Sequence, residues 1–155
     1  MATLQVKITE SVNLNGKDRG SENTLEILSV TEVFHRIVTC PAGVDTTVAT
    51  FRSDTSVADG ALDVEDVKYI RVTNLDASNP INLSLQIDAG EDDSAADESA
   101  TVLVAAGRSF IMGTPSDGIA VDDTNATIVT ALHNLESLLV DPGVNAISVE
   151  VFIAS

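Results

Sequence analysis

The sequence predicts an all-β fold: a β-sandwich, jelly-roll-like, of about eight or more antiparallel strands in a single domain spanning residues 1–155. Three observations carry that prediction. Ile81, Leu83, Leu85 and Ile87 alternate with Asn82, Ser84, Gln86 and Asp88. Successive strand side chains point to opposite faces, so this stretch puts four branched apolar groups on one side and four polar groups on the other. The C-terminal stretch repeats the pattern: Ile147, Val149, Val151 and Ile153 alternate with Ser148, Glu150, Phe152 and Ala154. Elsewhere in the chain lie short β-rich runs, punctuated by Asn15-Gly16, by Pro41-Ala42-Gly43 and by Asp141-Pro142-Gly143. Strands at such spacing, with no convincing long helix, indicate a sandwich or barrel.

Taken in order, Leu4, Val6 and Ile8 alternate with Gln5, Lys7 and Thr9 and give a first strand. Asn15-Gly16 accepts the positive φ angles of a tight turn. Residues 17–23 read as a polar loop. Residues 24–39 are rich in β-branched side chains, with a break or bulge near 28–31. Pro41 cannot donate a ladder hydrogen bond, so the strand ends there. Residues 46–52 form another strand. Residues 53–66 make a loop with five acids: Asp54, Asp59, Asp63, Glu65 and Asp66. Residues 67–75 resume the strand pattern, and residues 76–80 turn into the strand at Ile81. Residues 88–98 are an acidic loop. Residues 101–106 and 109–112 are strands flanking a Gly107-Arg108 connection. Residues 113–125 form a further loop. In residues 125–140, Ile128, Leu132, Leu135 and Leu139 keep near-helical spacing, yet short strands fit equally. The turn at Asp141 favours a strand over 136–140. The predicted core includes Val6, Ile8, Ile70, Val72, Leu83, Leu85, Val149 and Val151.

Composition narrows the function. Apolar residues make up 44% of the chain and aromatics only 3%, so Val, Ile, Leu and Ala must build the core. At this length folding buries roughly 70% of the extended surface, enough for a core without staples. Twenty-four acids face eight bases, a formal charge of −16, and the last 47 residues carry no base. Such a surface repels phosphates and anionic lipid, so neither nucleic acid nor membrane is an expected partner. A lone cysteine, Cys40, excludes an intramolecular disulfide. The first ten residues are strand-like, and no signal peptide or membrane segment is expected. Asn82-Leu83-Ser84 and Asn125-Ala126-Thr127 match the glycosylation acceptor pattern, and without a secretion signal they carry no reading.

Candidate chemistry is sparse, and no catalytic, cofactor-binding or metal-binding residue is expected. His35 and Cys40 are close in sequence, but five residues apart on a strand they point to opposite faces. Ser109, in Ala-Gly-Arg-Ser-Phe-Ile-Met, lacks the second glycine of a nucleophile elbow. His133 has no sequence partner, and two histidines with one cysteine give no zinc spacing. The acid groups at 54–66, 88–98 and 122–123 lack the glycine and glutamate positions of a calcium loop, so they read first as solvated loops, with weak calcium sites as the second reading. Paired carboxylates for glycoside hydrolysis would lack aromatics to hold a sugar.

Four stretches together carry a resemblance: M-A-T-L-Q-V-K-I-T-E-S-V-N-L-N-G at the start, V-K-Y-I-R-V-T-N-L-D-A-S-N-P-I-N-L, A-A-G-R-S-F-I-M and the terminal A-I-S-V-E-V-F-I-A-S. The chain resembles small virion structural proteins of tailed phages of marine bacteria, including cyanophages, over most of its length. The resemblance implies a non-enzymatic β-sandwich subunit of a phage virion, made and assembled in the host cytoplasm. Its most direct placement is a capsid decoration or cement protein that stabilises the head. The alternatives are a tail, neck or fibre component and, in another class, a soluble carbohydrate- or calcium-binding module. The expected partners are copies of itself, as a homotrimer, and the major capsid protein. Sheet edges need pairing or cover. Leu4, Val6 and Ile8 of the first strand, with Ile147, Val149, Val151 and Ile153 of the last, are therefore the expected interface residues.

Overall fold

The computed structural model describes residues 1–90, 96, 98–122 and 127–155. The acidic run at 91–95 with Asp97, and residues 123–126 with the second glycosylation-like site, lie outside the described residues. Four strands come first: β1 (Ala2–Glu10), β2 (Asn13–Leu14), β3 (Lys17–Asp18) and β4 (Ser21–Val30). Next come β5 (Val33–Cys40), β6 (Thr46–Arg52) and the two-residue β7 (Leu62–Asp63), with a 3-10 turn at Thr55–Val57. After these follow β8 (Tyr69–Asn74), β9 (Ile81–Asp88), β10 (Glu98–Val104), β11 (Ser109–Met112), β12 (Asn134–Asp141) and β13 (Ile147–Ala154).

Strands β5 to β13 build the body. One sheet has the order β11-β8-β13-β5, the other β10-β9-β12-β6-β7. All the pairings are antiparallel except the short parallel contact of β7 with β6. With β7 set aside, eight strands remain among the described residues. Numbered one to eight along the chain, they run 6-3-8-1 in one sheet and 5-4-7-2 in the other. That connectivity is a jelly roll, as the sequence predicts.

The inner faces meet in one aliphatic core. Ile70 and Val72 of β8 and Ile147, Val149, Val151 and Ile153 of β13 come from one sheet; Phe51, Ile81, Leu83, Leu85, Leu135, Leu138 and Val140 come from the other. Burying each such side chain contributes ~1.5–3 kcal/mol. One polar group at this core is well answered: Asn74, wholly buried, donates to the Asn79 and Val104 carbonyls at 2.9 and 3.1 Å and accepts from the Asp76 amide at 2.9 Å. This ties the β8–β9 turn to the end of β10.

Three sequence readings need correction. The terminal strand is not an edge: β13 lies between β8 and β5 and bonds to both. Ile147, Val149, Val151 and Ile153 are at most 1% exposed, so they are core rather than interface. Alternating hydrophobicity reports which face is buried, not whether the strand has one neighbour or two. Secondly, Ile8 is half-exposed and Val6 only partly buried, because β1 stands outside both large sheets. Thirdly, residues 17–23 are not loop alone, since β3 and the start of β4 occupy them. The helical option near 128 is not taken up either. Ile128 is exposed, residues 127–132 have no helix, and β12 begins at Asn134.

The first thirty residues form a hairpin of their own. β1 pairs with β4, and β2 pairs with β3 beyond them. The tip is Asn15-Gly16, with φ of 53° and 72°. Both angles are positive, which suits a two-residue turn matched to the strand twist. Gly20 marks a tight crossing, since a Cβ there would meet the Glu10 carbonyl at 2.1 Å. At the base, β4 ends where Ser29 takes a φ of 59°, inside the break the sequence predicts. Thr31 and Glu32 then donate backbone hydrogen bonds to the carbonyl of Ser155.

Candidate assembly surface

The hairpin has two unlike faces. Cross-strand partners share a face, so Leu4 and Val6 stand beside Ile27 and Leu25. The opposite face is polar. Gln5 donates to Glu26 at 2.9 Å, and Lys7 pairs with Glu22 at 3.0 Å. At the base the apolar face rests on the outside of the four-stranded sheet. Leu4, Val6 and Ile27 pack there around Val30, Tyr69, Phe152 and Ala154, and Lys68 clamps the edge by donating to the Ser29 carbonyl at 3.0 Å.

Further out the contact loosens. A cleft of about 290 Å³ opens between Val6, Ile8 and Leu25 of the hairpin and Tyr69, Ile111 and Met112 of the sheet. A second, of about 330 Å³, runs between β1 and Arg71, Ile111 and Phe152. Beyond the clefts, Val12 and Leu14 near the tip are 48% and 58% exposed.

Beside the hairpin the same sheet face carries a polar network. Arg71 donates to Glu150 at 2.7 Å, and His35 donates to the other oxygen of that carboxylate at 2.8 Å. The hydrogen bond from Arg71, and then that from His35, hold the Glu150 carboxyl below the ordinary carboxylate range. Phe152 lies beneath, with the His35 ring at 5.6 Å and the Tyr69 ring at 6.1 Å. At the β5 edge this face ends in Val33 and Ile37, 50% and 66% exposed.

The structure does not bring the sequence's nucleophile candidates together. Cys40 is wholly buried, and burial pushes its thiol pKa up, so it stays a thiol rather than a nucleophilic thiolate. His35 points to the other face of β5 and engages Glu150. Ser109 shares a 2.8 Å hydrogen bond with Thr73. Three carboxylates near the described loops serve turns. Asp54 accepts from the Ser56 amide, Asp63 from that of Glu65, and Asp76 from those of Ser78 and Asn79. Among the described residues no three histidine, cysteine or acidic side chains converge as metal ligands.

Of the expected interface residues, Leu4 and Val6 lie on the hairpin's apolar face and Ile8 at its loosened outer part. Sequence reasoning missed the sheet face that carries Val33, His35 and Ile37. The imperfect alternation of Val33–Cys40 concealed it, because both faces of β5 carry apolar groups. It also missed the ion pair of Arg52 with Glu136 at 2.7 Å, nearly buried between β6 and β12. Glu136 sits where the register of β12 against β9 shifts, an irregularity the residue pattern does not announce.

Charge divides with the architecture. Residues 1–30 hold three bases and four acids, whereas residues 31–155 hold five bases and twenty acids. The hairpin is thus almost neutral on a body of formal charge −15.

No protein-family model matches the sequence, and no curated protein matches it. Among solved structures, a chain from Bacillus endospore appendages, described as a novel family of disulfide-linked pili, aligns with 81% of this chain and 87% of its own. The two are 12% identical, with a TM-score of 0.35.

Proposed function

We propose that the chain is a non-enzymatic structural subunit of a bacteriophage virion, placed on the head as a capsid decoration protein. A jelly roll by itself specifies no function. The observation that carries the reading is the hairpin: a near-neutral arm with exposed apolar side chains, attached to a strongly acidic body. Such an arm suits contact between subunits, and the acidic body suits an outward, solvated surface. The resemblance of the four quoted stretches to virion proteins of marine tailed phages supplies the particle. On this reading the partners are copies of the chain, as a homotrimer, and the major capsid protein.

The test is to locate the protein on intact particles by antibody labelling or image reconstruction. Density or label over the capsid supports the proposal; label on tail, neck or fibre, or none on the particle, overturns the head placement. The non-enzymatic part has its own check. Cys40→Ala and Ser109→Ala should each leave virion yield unchanged in a folded protein, and His35→Ala should alter it only through folding or subunit contact. A hydrolytic activity abolished by any one of them would remove that part.

A further inference from the structure

We infer that the outer half of the hairpin, residues 11–20, docks on a second copy of this chain, against the β5 edge of the outer sheet face around Val33, His35 and Ile37. This goes beyond membership of a virion and holds for the purified protein alone. Three observations lead to it.

The first is an unfinished contact. A two-stranded hairpin is marginal in water unless it packs on something. The base of this hairpin solves the problem on Tyr69 and Phe152. Its outer half does not, and leaves Val12 and Leu14 in solvent. The second is continuity of the receiving surface. The sheet face that already takes a hairpin base extends across Phe152 to β5, where Val33 and Ile37 stand exposed. A neighbour's hairpin would cover there what the chain's own hairpin leaves open.

The third is charge. Residues 11–20 hold Lys17 and Arg19 against Asp18, a formal +1 on a chain of −16. The receiving face carries Glu150, whose carboxylate Arg71 and His35 already meet, and it belongs to a body of formal charge −15. Body against body would set acid against acid, and tip against tip would set base against base. Tip on body is the arrangement in which opposite charges meet. Tip and receiving face are different patches, so a contact made once between two copies is heterologous and closes into a ring when the rotation between copies allows, whereas a reciprocal pair closes as a two-fold dimer. A ring of three is the trimer expected above.

The experiment is sedimentation or light scattering on the full chain over a wide concentration range, with circular dichroism to confirm folding. Wild type should self-associate, and more weakly as salt rises. Val12→Asp/Leu14→Asp, which spoils the tip, and Ile37→Asp, which spoils the receiving face, should each be folded and monomeric. Mixed together they should form a one-to-one dimer, because one keeps a sound face and the other a sound tip. Lys17→Glu/Arg19→Glu should weaken association about tenfold or more. If an aspartate variant fails to fold, the corresponding serine changes carry the same expectations. A wild type that stays monomeric, single variants that assemble like wild type, or a mixture of folded variants that stays monomeric would each overturn the inference. Assembly without any attachment to heads would overturn the capsid placement and leave this contact standing.

Discussion

Glu150 is held from both sides, by Arg71 on β8 and His35 on β5, and so cross-links three strands of one sheet through a single carboxylate. Its folded pKa is depressed. The stabilisation is therefore present above the unfolded carboxylate value and is lost as the pH falls through the folded one. Hydrogen bonds to charged groups contribute ~1.5–3 kcal/mol. Glu150→Gln should accordingly lower the melting temperature at neutral pH, and the gap to wild type should close as the pH drops into the acid range. A gap independent of pH would mean the carboxylate charge is not what matters. Leu85 gives a sharper case. It is 4% exposed between the sheets, and Leu85→Asp would strand a carboxylate without a partner there. That cost exceeds ~3 kcal/mol, a large part of an ordinary domain's stability, so the variant should be unfolded or lose most of its melting temperature. Cys40, buried and with its pKa raised, should resist thiol reagents in the native protein and react only on unfolding.

At the scale of elements, the hairpin should behave as a unit apart from the sandwich. β1 and β4 pair with each other and with no strand of either large sheet. Asn15-Gly16→Ala-Ala puts a Cβ into positive φ at position 16, at ~1–2 kcal/mol, and removes from position 15 a residue that tolerates that conformation. Amide exchange should then quicken in residues 1–30 while β8, β9 and β13 keep their protection. If exchange rose equally in all of them, the hairpin would be folding with the sandwich and not on it. This separation also explains what could be read beforehand. Ile81 to Asp88 and Ile147 to Ala154 were legible because one face is wholly apolar and strand period does the rest. Core membership of Leu83, Leu85, Ile70, Val72, Val149 and Val151 follows from the same period. Neighbour number was not legible. β1 and β13 both alternate, yet one stands in a lone hairpin and the other in the middle of a sheet. The distinction lies in long-range pairing, which a local pattern does not encode. The surface at Val33 and Ile37 was hidden for a related reason: an exposed aliphatic on an edge strand looks in sequence like one more core residue.

Over the whole molecule, charge sets how the protein can meet anything. A body of formal −15 resists packing on another acidic surface, so attachment to a capsid on the proposed reading must use the hairpin, the apolar sheet face or a basic patch on the capsid. The acidic run at 91–97, which lies largely outside the described residues, distinguishes these routes. Stacking such carboxylates between symmetry-related subunits would place like charges together, so the run is not expected to join subunit to subunit. Deleting residues 91–97 should then leave binding to purified heads intact and its salt dependence unchanged. Were the run instead seated on a basic capsid patch, the deletion would abolish binding in a folded protein. Wild-type binding would in that case fall steeply as salt rises, since exposed charges are screened beyond ~10 Å at 0.1 M. Measuring head binding of both proteins across a salt series separates the outcomes. Loss confined to the deletion assigns attachment to the run, and unchanged curves leave attachment to the apolar surfaces of the hairpin and its sheet.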